Sequence, residues 1–195
     1  MHPLTRLIVA GAAATLPALT LAHVGADAAG HHDGLAAGFM HPFTGLDHLV
    51  AMLAVGVWSA LAAARPGWRS LAAAPLSFAA LLWIGALLAL GGASLPAVEP
   101  MIATSLLVLG LLVATRRALP TPAGMALVGS FALFHGAAHG GELVGSTALA
   151  GMVLATGLLH GAGLLIGLQL RGRSVWLTRI AGLASAAFGA TLWLA

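Results

Sequence analysis

From Pro42 onward the chain divides into six apolar segments, at about 42–64, 71–91, 100–115, 121–140, 146–169 and 174–195, with arginines gathered into the breaks between them. Each is close to the roughly 20 residues an α-helix needs to cross a bilayer, the third being somewhat short. Backbone amides in lipid have no water to bond, so segments of this kind are expected as helices. Composition agrees: 60% of the residues are hydrophobic and 7% charged, against about 25% charged in a soluble domain. The expected fold class is therefore all-α, a polytopic membrane protein with six transmembrane helices.

The charges set an orientation. Arg65 and Arg69 lie between the first two segments, Arg116 and Arg117 between the third and fourth, Arg171 and Arg173 between the fifth and sixth, and Arg179 follows early in the sixth. The other two breaks carry no arginine. Arginine collects on the cytoplasmic side, which places both termini of the mature protein in the periplasm. Residues 1–22 have the features of a signal peptide: Arg6, an apolar stretch from Leu7 to Leu21, and small residues ending at Ala22. An uncleaved first helix is the alternative. Residues 23–41 then form a periplasmic N-terminal segment and 42–195 a six-helix transmembrane domain. The bacterial inner membrane is the expected location. The arginines sit in short loops and give no reason to expect nucleic acid.

Nine histidines accompany only five carboxylates, and cysteine is absent. Thiolate metal sites and disulfides are excluded, so a metal here would be held by nitrogen and oxygen. Two clusters stand out. His41, Asp47 and His48 open the first segment, within Met40-His41-Pro42-Phe43-Thr44-Gly45-Leu46-Asp47-His48-Leu49. On a continuous helix, residues seven apart share a face, which pairs His41 with His48. Pro42 and Gly45 weaken that helix and allow local unwinding around a ligand. His135 and His139 close the fourth segment at i, i+4, followed by Glu142. One helical stripe can carry all three. The plainer readings are interfacial caps and histidines bonded within the core.

By the arginine pattern both clusters lie at the outer side of the membrane. Ionisable groups within a bilayer are costly and tend to mark ion paths. Together the clusters offer imidazoles with Asp47 and Glu142, whose charges would offset one dication. Such ligands suit nickel, cobalt, zinc or copper(II) rather than magnesium. Binding needs neutral imidazoles, so it weakens as pH falls through the histidine range. His160, near the middle of the fifth segment, is a further candidate for passing an ion inward. His23 is another, because cleavage after Ala22 would leave its α-amino group and imidazole together. The methionines are read as packing residues.

Taken together, the His-x5-Asp-His pattern of His41, Asp47 and His48, its continuation Ala51-Met52-Leu53-Ala54-Val55-Gly56-Val57-Trp58, and the block Phe134-His135-Gly136-Ala137-Ala138-His139-Gly140-Gly141-Glu142 resemble the HupE/UreJ family of nickel and cobalt permeases. The signal segment and six helices extend the resemblance over essentially the whole chain. The long histidine-rich loop of some members is missing. The resemblance implies a secondary permease that imports Ni²⁺, or next Co²⁺, for hydrogenase or urease maturation. It implies no permanently bound cofactor and no enzymatic activity; the sequence leaves open whether copies associate as a homo-oligomer. The rival reading is an intramembrane metal-dependent hydrolase using the same histidines with Glu142 as base.

Overall fold

A computed structural model describes residues 32–140 and 143–194, without the side chains of positions 32, 33, 143 and 144. The signal segment, His23 and Glu142 lie outside the described residues. Helices account for almost all of what is described: α1 (Leu35–Thr44), α2 (Leu46–Ala62), α3 (Trp68–Leu90), α4 (Val98–Thr115), α5 (Thr121–Gly140), α6 (Ser146–Arg171) and α7 (Val175–Leu194). Two short strands, β1 (His32–Asp33) and β2 (Leu143–Val144), pair in parallel with His32 opposite Leu143 and Asp33 opposite Val144. Each strand runs into a helix through a glycine, Gly34 or Gly145, at φ 97 and 95. That left-handed region favours a residue without a Cβ.

Five of the six apolar segments appear as α3 to α7, with ends close to those expected. The first does not form one helix. The chain is already helical at Leu35, inside the segment read as N-terminal to the first span, and α1 then stops at Thr44. The axis turns by 86° before α2. Pro42 lies inside α1 and has no N–H to offer its last turn. Thr44 Oγ1 donates to the His41 carbonyl at 2.7 Å, closing off the helix end. Gly45 is extended (φ −88, ψ 112), and its carbonyl accepts the Leu49 N–H at 2.9 Å to start α2. His41 and His48 therefore belong to different helices and do not share a helical face, which corrects the expectation from their spacing.

The helices pack most extensively as α3 with α5, α4 with α7, and α2 with α6. Each pair is joined where a glycine lets backbones touch. A Cβ on Gly136 would strike the Leu82 carbonyl, one on Gly56 the His160 carbonyl, and one on Gly182 the Gly110 carbonyl. Small residues at such crossings are the usual way for helices to approach closely in lipid. The buried core between the pairs includes Met52, Val55 and Trp58 from α2, Phe78 and Leu82 from α3, Leu106 and Leu109 from α4, and Leu149 and Met152 from α6. Outward faces carry large apolar side chains, among them Ile84, Leu158, Leu165, Trp176 and Ile180. Such a surface suits lipid.

Among the described residues, α3, α4, α6 and α7 are long and apolar enough to cross a membrane, and the bent pair α1–α2 makes a fifth span if counted as one. The histidine-bearing α5, with 20 residues, does not join them on that measure. The helix ends sort the polar groups. At one end of the bundle lie the arginines: Arg171 Nη1 donates to the Ala60 and Ala63 carbonyls at 2.5 Å each. Arg116 donates to the Leu170 carbonyl and to Thr178 Oγ1, both at 3.0 Å. The Trp58 indole N–H reaches the Arg117 carbonyl at 2.9 Å. These bonds satisfy carbonyls that helix C-termini leave unpaired, where cations are also favoured by the helix dipole. His41, His48, His135 and His139 lie at the other end.

Candidate metal centre

The bend at Gly45 delivers three ligand-type residues to one place. His41 rides on the last turn of α1, while Asp47 and His48 open α2, where the helix N-terminus favours a carboxylate. Gly45 has room for both side chains because it has none itself. A Cβ there would lie 3.1 Å from Asp47 Oδ1 and 3.3 Å from His48 Nδ1. On α5, His135 and His139 are one turn apart and both point into the bundle, at 0% and 3% exposure.

The structure brings these five residues together. His41 Nε2 and His139 Nδ1 share a hydrogen bond of 2.7 Å. The His139 ring lies 4.5 Å from that of His41 and 4.1 Å from that of His48, so it bridges the two helices that the bend separates. His48 and His135 meet edge to face at 4.7 Å. His48 Nδ1 donates to Asp47 Oδ1 at 3.0 Å. That bond leaves the lone pair of His48 on Nε2 and fixes its orientation, as carboxylates beside metal-binding histidines commonly do.

His135 is oriented by a residue that sequence reading did not single out. Ser105 Oγ gives its one proton to the Ile102 carbonyl at 2.6 Å. The 2.9 Å contact between Ser105 Oγ and His135 Nε2 must then use an N–H from the ring. The His135 lone pair therefore resides on Nδ1. A single serine in the apolar run of the third segment gives no signal of this, since its partner is 30 residues away.

His160 is not part of this group. It sits on α6, 3% exposed, with its ring against Phe78 at 5.1 Å. Phe78 in turn touches His135 at 5.6 Å. Among the described residues no three His, Asp or Glu side chains are arranged as ligands of one ion. The ring nitrogens are instead engaged with each other, with Asp47 and with Ser105. Four imidazoles and one carboxylate in contact nonetheless form a donor set of borderline-soft nitrogen and hard oxygen, suited to late first-row dications.

A bundle of membrane-length apolar helices is the architecture of a multi-pass membrane protein. The family model described as HupE / UreJ protein matches residues 11–192, and the chain belongs to the HupE/UreJ family. A relative named Protein HupE, from Rhizobium leguminosarum bv. viciae, is 40% identical over 186 residues, covering 93% of each chain. No solved structure matches. The family is of transporter type rather than enzymatic and is associated with nickel and cobalt transport for hydrogenase and urease. This membership sets aside the intramembrane hydrolase.

Proposed function

We propose that the chain is a secondary permease importing Ni²⁺, with Co²⁺ next in preference, across the bacterial inner membrane. The observation that carries this reading is the convergence of His41, Asp47, His48, His135 and His139, from two distant parts of the sequence, beside a break in a membrane-length helical pair. Glu142 follows His139 closely enough to join them and bring a second negative charge. In this reading α1–α2 is one broken span, and α5 crosses despite its histidines, because they face the bundle rather than lipid. Six spans then place both mature termini, and the histidine end, in the periplasm. Residues 1–22 are the signal peptide, 23–41 the periplasmic segment with His23 as an accessory ligand, and 42–195 the permease domain.

The ion would lose water to the outer imidazoles, its charge opposed by Asp47 and Glu142, and pass inward by way of His160. Ligand bonds between side chains rather than to backbone let the ion enter and leave without disturbing the helices. The test is accumulation of radioactive nickel by cells expressing wild type, His48→Ala or His139→Ala at equal membrane abundance. Both variants should fall to the background of cells without the gene. Uptake at the wild-type level in both would overturn the site, and competition by cobalt, zinc and copper would rank the ions.

A further inference from the structure

The aromatic and imidazole rings form a file through the bundle: His41, His139, His48, His135, Phe78 and His160, each within 5.6 Å of the next. One ring in the file cannot ligate a metal, and it stands at a particular place. Phe78 is fully buried and separates the four clustered imidazoles from His160. His160 lies deeper, since its carbonyl packs against Gly56, two turns beyond His48 on α2, or about 12 Å along that helix. Among the described residues, its Nε2 is buried and has no hydrogen-bond partner. A buried polar atom without a partner is costly, and one that persists calls for an explanation such as an unoccupied ligand role. One turn before it on α6, the hydroxyl of Thr156 donates to the Met152 carbonyl at 2.9 Å and lies 3.4 Å from the thioether of Met52, so this level also contains sulfur and oxygen.

We propose that His160 is an inner metal station and that Phe78 is the partition between it and the outer cluster, which the ion crosses only by displacing the ring. The inference rests on the permease reading. A packed apolar ring excludes water, and hydrophobic constrictions of this kind close by dewetting. A magnesium ion, which gains little from imidazole in exchange for its water shell, stops at such a barrier. A nickel or cobalt ion can exchange water for imidazole on one side and again on the other, and the ring face attracts a cation in passing. Phe78 thereby turns ligand preference at two stations into selectivity of transport.

The experiment uses the full chain in proteoliposomes, with Ni²⁺ and Mg²⁺ flux measured beside Ni²⁺ binding by equilibrium dialysis. Phe78→Leu, Phe78→Val and Phe78→Ala shorten the plug in steps, and His160→Gln removes the inner nitrogen donor. Mg²⁺ entry should rise as the side chain shortens, while Ni²⁺ binding stays at the wild-type level. His160→Gln should keep Mg²⁺ exclusion and Ni²⁺ binding at the outer cluster, remove the Ni²⁺ bound at the inner station, and lower Ni²⁺ flux by about tenfold or more, on the scale of losses at groups that support a metal site. The proposal is overturned if the Phe78 variants that still bind Ni²⁺ exclude Mg²⁺ as wild type does. Wild-type Ni²⁺ flux in His160→Gln overturns it equally, including when the shorter Phe78 variants do not fold. Absence of Ni²⁺ flux in wild type is a different result, and it removes the permease reading itself.

Discussion

The two ends of the bundle treat their polar side chains in opposite ways. At the arginine end, Arg171 and Arg116 bond almost entirely to main-chain carbonyls, at Ala60, Ala63 and Leu170. At the histidine end, side chains bond to side chains: His41 to His139, His48 to Asp47, and His135 to Ser105. A guanidinium that closes a helix terminus cannot be removed without exposing the carbonyls it serves. An imidazole bonded to another imidazole can be re-paired by rotating or by accepting an ion. The first arrangement fastens the fold and the second leaves a group of donors ready to change partner. Polarity alone therefore does not mark a site in a membrane protein; the partner of each polar atom does.

Substitutions can break this contrast, in order of expected effect on nickel affinity. Asp47→Asn preserves shape and a carbonyl oxygen for the His48 N–H but removes the charge. Nickel binding by the purified protein should weaken by about 100-fold, the upper part of the range for groups that orient metal ligands, and unchanged affinity would make Asp47 a structural residue. Ser105→Ala removes only the acceptor that sets the His135 tautomer. It should weaken binding by about tenfold while leaving thermal stability nearly unchanged. Equal loss of stability and affinity would mean that Ser105 serves packing instead. Arg171→Gln should do the reverse and lower stability by about 1–3 kcal/mol as two carbonyls lose a charged donor, with affinity per folded molecule unaltered. A drop in affinity there would show that the two ends are not separable.

Much of the helical layout was legible in the sequence, because apolar runs with arginine, glycine and proline at their ends define α3 to α7 to within three residues. The first span was not. Residues 35–41 were read with the segment before the first span, whereas Gly38 lets α1 lie directly on the backbone of α6 at Ala148. That contact is tertiary and leaves no periodic trace. Pro42 and Gly45 signalled weakness in the helix, but the size and direction of the bend depend on what α1 packs against. His135 and His139 were legible as a pair from their spacing. Their meeting with His41 and His48 followed only in depth, from the arginine pattern. Phe78 was invisible, since a phenylalanine inside an apolar run has no feature that separates plug from packing.

The glycine crossings carry a mechanical consequence. Where a carbonyl lies on the Cα of a facing glycine, as at Gly136 and Leu82 or at Gly56 and His160, the two helices have little freedom to slide and act as one stiff beam. Asp47, His48 and His160 ride on the α2–α6 beam, and Phe78, His135 and His139 on the α3–α5 beam. Every ring contact between His48, His135 and His139, and every contact of Phe78 with His160, therefore spans the seam between two beams or runs along its edge. A small shear at that one seam would shift His48 relative to His135 and His139 and the phenyl ring relative to His160 together.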